Sequence, residues 1–99
     1  MLTRAAAVEF AALKMPIRVN SVHPGVVVSA MMDDILATYS RITGGTPVET
    51  LSAGVVAGDP MGRFVEPAEV AEAVAFMASS AARYVHGDAI HVDGGYAAA

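Results

Sequence analysis

The chain has 99 residues, of which 55% are hydrophobic and 16% charged, and its formal net charge is −4. Its six Lys and Arg residues are not clustered, which argues against nucleic acid or an anionic membrane surface as a partner. The lack of cysteine excludes disulfides and thiolate metal sites, no apolar run approaches the ~18 residues of a membrane helix, and we expect a cytoplasmic protein.

The first predicted element is a helix over residues 2–15. These residues are strong helix formers, and apolar side chains recur along one face at three- and four-residue spacing. We expect the helix to be buried on more than one side and to be stopped by Pro16. Because neither a cap nor a strand precedes it, the chain is expected to open in mid-helix.

A parallel strand is predicted over residues 17–22, and it leads into the most informative segment of the chain. Its β-branched residues indicate a buried strand, and Pro24-Gly25 then turns the backbone into a loop. Open α/β sheets bind ligands where their strands end. The segment therefore indicates a nucleotide-cofactor site, although no G-x-G-x-x-G phosphate loop occurs in the 99 residues.

Residues 30–64 are predicted to form a lid-like segment. Apolar residues between Met31 and Tyr39 have helical spacing, a second short helix is predicted from Val48 to Val55, and residues 58–62 have the composition of a turn. A long segment with weak structure usually belongs to a binding loop or a lid.

The last two predicted elements are a helix beginning at Glu66-Pro67 and a strand over residues 89–92. Pro is favoured at the first helical position, and a carboxylate such as that of Glu69 is favoured in the first turn. A helix between two strands predicts a parallel crossover and therefore an α/β fold. Because two strands make too small a sheet, we expect residues 1–99 to be a single partial domain.

Four ordered segments carry a resemblance to a known family. They read Ile17-Arg18-Val19-Asn20-Ser21-Val22-His23-Pro24-Gly25, then Pro60-Met61-Gly62-Arg63-Phe64 running into Glu66-Pro67-Ala68-Glu69, then Tyr84-Val85-His86-Gly87, and Val92-Asp93-Gly94-Gly95-Tyr96. The chain resembles the C-terminal part of the short-chain dehydrogenases/reductases, in particular the branch that acts on secondary alcohols, cyclic alcohols and hydroxysteroids. The resemblance implies the C-terminal portion of a doubly wound, Rossmann-type parallel sheet domain that binds NAD(P).

The resemblance carries no catalytic residue over to this chain. In the family the Gly-rich cofactor loop and the catalytic Ser, Asn, Tyr and Lys lie upstream of the matching part, so the chain alone is expected to be inactive. The implied reaction is hydride transfer between NAD or NADP and a small-molecule alcohol or ketone, such as a hydrophobic secondary alcohol or a hydroxysteroid. The choice between NAD and NADP is made in the half that this chain lacks.

The nicotinamide side of the cofactor site does carry over by resemblance. Backbone groups and a hydroxyl there are expected to bind the carboxamide, which offers two donors and an acceptor. The matching residues are Pro24, Gly25, Val27 and Ser29. Ser29 stands where Thr is commoner in the family, and Val28 is apolar where the family often has a polar residue.

Five further residues match the region that closes over substrate in the family. They would form an apolar wall for a hydrophobic alcohol or ketone, in which flexible Met side chains suit a forgiving pocket. These residues are Val26, Met31, Met32, Ile35 and Leu36. Those between positions 31 and 36 could equally be the core of a small helix, and Ser29 could be a helix N-cap as well as a ligand.

Structural roles are expected for several other polar residues. The three histidines lack a close ligand pair on one element, so no metal site is expected. Asp93 is expected to order the Gly94-Gly95 turn through its own carboxylate. Arg63 is assigned to ion pairing or loop fixing before substrate binding.

Two alternatives to an enzyme remain open. One is a non-catalytic module that uses exposed sheet edge and helix faces to associate with itself or with an intact relative. The other is an unfolded product of a truncated reading frame. Family members commonly form dimers and tetramers through the parts matching residues 2–15, 67–79 and 89–92, so a homo-oligomer is expected of a complete version.

Overall fold

The computed structural model of the protein describes residues 2–98, which form an incomplete α/β fold. Its helices and strands are α1 (Leu2–Ala12), β1 (Ser21–Pro24), α2 (Ala30–Ile42), α3 (Val48–Val56), α4 (Pro67–Ala78) and β2 (Ala89–Val92). Two short 3₁₀ turns follow α4 and β2, at Ser80–Ala82 and Tyr96–Ala98. None of the helices in this part of the chain is long and apolar enough to cross a membrane.

The sheet consists of β1 and β2, which pair in parallel with Ser21 opposite Ala89 and Pro24 opposite Val92. The connection between them passes through α2 and α3 and then through α4, which contacts both strands. The predicted parallel crossover is therefore confirmed. Because the strands are parallel and in register, their carboxyl ends lie side by side, and the turns after them meet at one edge of the sheet.

Helix α1 ends before Pro16, so the prediction that this proline stops it is wrong. The Lys14 N–H donates to Ala11 O and the Met15 N–H to Phe10 O, which is the Schellman pattern of helix termination. Lys14 has a φ of 56°, the left-handed conformation that this motif requires. The chain has therefore left the helical path two residues before the proline.

The predicted strand over residues 17–22 is shifted toward the carboxyl end in the structure. Residues 18–20 bond instead to the loop before β2. The Val19 N–H donates to His86 Nδ1 at 3.2 Å, and the Asn20 side chain donates to Val85 O and accepts from the Asp88 N–H. Strand β1 begins only where the ladder to β2 begins, and its last two residues are exposed rather than buried.

Local signals predicted the remaining helices well. Helix α3 occupies the predicted range with one added residue, and α4 begins at Pro67. The backbone N–H of Glu66 donates to the Glu69 carboxylate at 2.9 Å. A side chain in the first turn thus accepts from a backbone N–H for which α4 itself provides no acceptor. Helix α2 begins after Ser29, whose hydroxyl accepts from the Met32 N–H at 3.1 Å.

Few side chains are buried in this part of the chain. Only Ala7, Leu36, Met77 and Ala82 are buried among the hydrophobic residues, and the radius of gyration is 17.6 Å. A compact domain of about 100 residues has a radius near 13 Å. The prediction that α1 is buried on more than one side is wrong within residues 2–98, because Ala7 is its only buried residue.

Candidate functional site

The candidate site lies at the edge where β1 and β2 end. A cavity of about 300 Å³ opens there between the turn after β1, the turn after β2 and the loop that precedes α4. Gly25 and Val26 contribute from the first turn, Asp93 and Gly94 from the second, and Arg63 from the loop. The two turns and the loop are far apart in sequence, and the parallel pairing of the strands brings them together.

Gly25 is at the point of closest approach between the two turns. Its N–H donates to Val92 O at 3.0 Å, which continues the ladder one residue past the strand. A Cβ at this position would lie 3.0 Å from Asp93 Cα, which is tighter than most real Cβ contacts. A side chain at residue 25 would therefore require the neighbouring backbone to move by a few tenths of an ångström.

The backbone after Gly25 offers free hydrogen-bonding groups. Val27 forms an isolated parallel bridge with Val65, in which the Val28 N–H donates to Val65 O and the Val65 N–H donates to Val26 O. In this pattern the N–H and C=O of Val27 itself point away from Val65. One donor and one acceptor are thus held side by side on a fixed segment, and this pair matches the complementary groups of a carboxamide.

Ser29 lies two residues further along and caps α2. Its hydroxyl oxygen accepts one hydrogen bond, from the Met32 N–H. A hydroxyl has a donor and two lone pairs, so the cap leaves the O–H and one lone pair for a ligand. The N-cap role considered from the sequence is therefore confirmed, and a second role for the same hydroxyl is chemically compatible with it.

Asp93 holds the turn after β2, as predicted. One carboxylate oxygen accepts from the Gly95 N–H at 3.0 Å and the other from the Ala97 N–H at 3.1 Å. The backbone oxygen of Asp93 also accepts from the Tyr96 N–H. Its carboxylate is committed to this turn and fixes the 3₁₀ segment that carries Tyr96.

Arg63 forms a bidentate ion pair with Glu69 at the rim of the cavity. The two guanidinium N–H groups donate to the two carboxylate oxygens at 2.7 and 2.8 Å, which confirms the predicted ion pairing. The bonds to Arg63, together with the bond from the Glu66 N–H, lower the pKa of Glu69 to about 2. The bonds to Glu69 and its negative charge raise the pKa of Arg63. The pair joins the loop to the first turn of α4.

The residues expected to bind cofactor and substrate lie on a continuous segment after β1. Pro24 is exposed, Gly25, Val26, Val27 and Ser29 are half-buried, and all of them precede or begin α2. On α2, Met31 and Ile35 are exposed, Met32 is half-buried and Leu36 is buried. Leu36 is the buried residue of a helix that packs against α3, whereas Met31 and Ile35 belong to an open stripe with Tyr39 and Ile42.

A second cavity of about 320 Å³ adjoins the first and shares Gly25, Val26, Asp59 and Asp93 with it. Its lining is completed by Gly54 and Val55 of α3, by Gly58 just after that helix, and by Tyr96. Sequence reasoning missed Asp59, Val65 and Tyr96 as site residues. The turn composition of residues 58–62 marked a loop, but nothing in the sequence showed that this loop folds onto the strand ends.

The histidines have structural surroundings. The His86 ring links two segments, because Nδ1 accepts from the Val19 N–H and Nε2 therefore carries the proton that is donated to Ala7 O at 2.7 Å. His23 and His91 stack across the two strands with ring centroids 5.2 Å apart. Within residues 2–98 no group of three or more metal-binding side chains is close enough to hold an ion.

The comparisons with known proteins agree with this architecture. A relative, the cis-4-hydroxycyclohexanecarboxylate dehydrogenase of Sinomonas cyclohexanicum, is 43% identical over 98% of this chain and 33% of its own length. A short-chain dehydrogenase family protein from Francisella tularensis superposes with a TM-score of 0.89 at 28% identity, over 99% of this chain and 39% of its own. A variant of actinorhodin polyketide ketoreductase with NADPH gives a TM-score of 0.83 at 36% identity, over 96% and 35%.

These matches confirm the predicted family and fold class. The chain spans about a third of the length of the curated relative, and likewise little more than a third of the solved neighbours. Within residues 2–98 the Rossmann-type sheet is thus represented by two parallel strands and the helices around them. A family model described as enoyl-(acyl carrier protein) reductase matches residues 1–97. The chain therefore belongs to the short-chain dehydrogenase/reductase family, of which it forms the C-terminal part.

Proposed function

We propose that this chain forms the nicotinamide-facing and substrate-facing walls of an NAD(P)-dependent dehydrogenase that interconverts a cyclic secondary alcohol and its ketone. NAD or NADP is the cofactor that the family implies, and when bound it accepts or donates the hydride. The residues of this chain position the cofactor ring and the substrate. The residues that exchange the hydroxyl proton lie outside it, so residues 1–99 alone are inactive.

The backbone of Val27 is the observation that carries the proposal. Its N–H would donate to the carboxamide oxygen and its C=O would accept from the carboxamide nitrogen, while the bridge to Val65 holds both groups still. Ser29 adds a hydroxyl that the helix cap already orients. Pro24 and Gly25 bring this segment past the strand end, and the lack of a side chain on Gly25 permits the close approach to Asp93.

The substrate wall consists of apolar residues on both sides of Ser29. Val26 lines both cavities, whereas Met31, Met32 and Ile35 lie on the first two turns of α2, outside the lining of either cavity, and would extend the wall beyond it. Leu36 is the buried residue of the same helix. The Sinomonas relative is named for 4-hydroxycyclohexanecarboxylate, a hydroxylated cyclohexane ring with a carboxylate, and the alicyclic part of such a molecule suits an apolar wall with few hydrogen-bonding groups.

The test measures turnover by the complete gene product. It is incubated with NADH or NADPH and with cyclic ketones of increasing ring size, and the absorbance of the reduced cofactor is followed. We expect oxidation of one cofactor with at least one cyclic ketone, and none with isolated residues 1–99. Activity of the isolated residues, or a complete product that is inactive with every ketone and with the corresponding alcohols, would overturn the proposal.

Substitutions at Ser29 separate cofactor binding from helix capping. Ser29→Thr keeps the hydroxyl and the cap, whereas Ser29→Asp keeps the cap but removes the hydroxyl donor. A lost hydrogen bond costs ~1 kcal/mol, so we expect the KM for the cofactor to rise about fivefold in Ser29→Asp and to stay near the original value in Ser29→Thr. Equal KM values in the two variants would show that the hydroxyl does not contact the cofactor.

A second candidate function is supported by the exposed apolar side chains. Leu2 and Val8 on α1, Leu13 just after it, and Phe76 on α4 are all more than half exposed. Such a surface favours association, either with the remainder of the enzyme and further copies of it, or with an intact relative. Sedimentation of the complete gene product distinguishes these cases. An active homo-oligomer fits the first proposal, whereas an inactive chain that binds an intact relative fits the second.

A further inference from the structure

The turn after β2 presents an aromatic side chain to the second cavity. Tyr96 is 65% exposed, and it lines this cavity together with Val26 and Val55. The ring edge, Cε2, lies 4.0 Å from the place that a Cβ on Gly58 would occupy. The ring therefore faces the end of α3 across a gap that remains open because residue 58 has no side chain.

Tyr96 is held in this place by hydrogen bonds of the backbone around it. The Asp93 carboxylate accepts from the N–H groups on either side of Tyr96 in the chain, those of Gly95 and Ala97, and the Asp93 carbonyl accepts from the N–H of Tyr96 itself. Three hydrogen bonds to one residue thus fix the position from which the Tyr96 side chain starts.

The same turn is packed against both walls of the site. On one side Asp93 touches Gly25, and on the other Gly94 is so close to Asp59 that a Cβ would lie 2.6 Å from the Asp59 Oδ1. The Asp59 carboxylate is itself held by the Met61 N–H at 2.8 Å. These contacts hold the backbone of the turn in place between Gly25 and the Asp59 loop, so the Tyr96 side chain extends toward the cavity from a fixed starting point.

We propose that Tyr96 determines substrate specificity, by closing the apolar side of the cavity against the alicyclic ring of the substrate and setting the largest ring that fits. This inference rests on the proposed function and names a residue for the same site. The volume of about 320 Å³ is at the small end of the range for ligand pockets, ~300–1,000 Å³, so a compact ring is the ligand that it suits. Val26 and Tyr96 would contact opposite sides of that ring.

The experiment compares ketones of different size in variants of the complete gene product. Tyr96→Ala removes the boundary, Tyr96→Phe removes only the hydroxyl, and Tyr96→Trp enlarges the boundary. Tyr84→Ala is the matched control, because Tyr84 is 99% exposed and lines neither cavity of the site. The quantity measured is kcat/KM for cyclohexanone and cycloheptanone relative to that for acetone.

We expect Tyr96→Ala to lower the cyclohexanone-to-acetone ratio by about tenfold or more, which is the size of effect that one apolar contact has on selectivity. Tyr96→Phe should leave the ratio within about threefold, since the ring rather than the hydroxyl is the boundary. Tyr96→Trp should reject cycloheptanone before cyclohexanone. Equal losses for all ketones in Tyr96→Ala, or the same change in Tyr84→Ala, would overturn the inference.

A binding measurement separates this inference from the proposed function. If the unmodified complete product turns over no ketone, methyl NMR signals of Val26 and Val55 are followed during titration with cyclohexanone. Chemical-shift changes that occur in the unmodified protein and disappear in Tyr96→Ala would support the binding of a ring beside Tyr96, even though the proposed reaction would be wrong. If cyclohexanone changes the methyl signals of neither valine, the inference about Tyr96 is wrong as well.

Discussion

Replacing Gly94 by Ala should destabilise the protein by the sum of two separate costs, one from the backbone conformation and one from packing. Gly94 has a φ of +63°, and the left-handed conformation costs a residue with a Cβ ~1–2 kcal/mol. The added Cβ would also lie 2.6 Å from Asp59 Oδ1 and 3.2 Å from Met61 Cβ. The carboxylate cannot withdraw without losing its 2.8 Å hydrogen bond from the Met61 N–H. Overpacking typically costs ~1–3 kcal/mol, so the total expected is ~2–5 kcal/mol.

Gly62→Ala provides the matched control. Gly62 has a φ of +73°, but no atom lies within 4 Å of the position of its added Cβ, so only the backbone cost of ~1–2 kcal/mol applies. Urea denaturation of the complete gene product gives the free energy of unfolding of each variant. The double variant Gly94→Ala with Asp59→Ala should recover part of the loss, because the carboxylate that the Cβ meets is gone. Equal destabilisation by Gly94→Ala and Gly62→Ala, or no recovery in the double variant, would refute the reasoning.

Two further predictions concern charged side chains. Arg18 donates to three carbonyl oxygens at and beyond the end of α4, whereas within residues 2–98 Arg83 donates only to Ser80 O. Arg18→Met should therefore lower the free energy of unfolding, measured by urea denaturation, by ~1.5–3 kcal/mol, and Arg83→Met should lower it far less. Similar losses in both variants would contradict this. Because folding lowers the pKa of Glu69 from 4.5 to about 2, its ion pair contributes fully above pH 4.5, and the contribution disappears as the pH falls toward 2. Glu69→Gln should therefore show a shallower loss of stability over that range, and an acid-unfolding slope identical to that of the unmodified protein would contradict the assignment.

The sequence was sufficient where a structural feature depends on neighbouring residues. The cap at Ser29, the Asp93 turn and the Arg63–Glu69 pair each join residues two to six positions apart. Such contacts are built by the local backbone path, so composition and spacing reveal them. The same reasoning predicted α3 and α4, whose first residues follow or include a proline.

Features that depend on a partner segment were not predictable in the same way. The bounds of β1 are set by where its ladder to β2 starts, and residues 17–20 have equally strong β propensity, yet residues 18–20 bond to a loop. Lys14 ends α1 in a left-handed conformation that Lys rarely adopts, so no residue-type signal marked the position. Tertiary contacts bring three residues to the site that lie more than thirty positions from Val26 in the sequence, namely Asp59, Val65 and Tyr96.

The way in which the site is built explains which of its residues are replaceable. Val27 offers a ligand its backbone N–H and C=O, groups that every residue except proline possesses, so its side chain is free to change as long as the bridge to Val65 holds. Gly25 and Gly94 are constrained in the opposite sense, because an added Cβ would lie 3.0 Å from Asp93 Cα at Gly25 and 2.6 Å from Asp59 Oδ1 at Gly94. In the function proposed above, recognition of the cofactor depends on residues that hold the segment after β1 in place, and discrimination between substrates is left to the few side chains, such as Val26 and Tyr96, that line the cavity. Substitutions at the glycines should therefore impair turnover of every ketone alike, whereas substitutions at Tyr96 should change the order of preference among them.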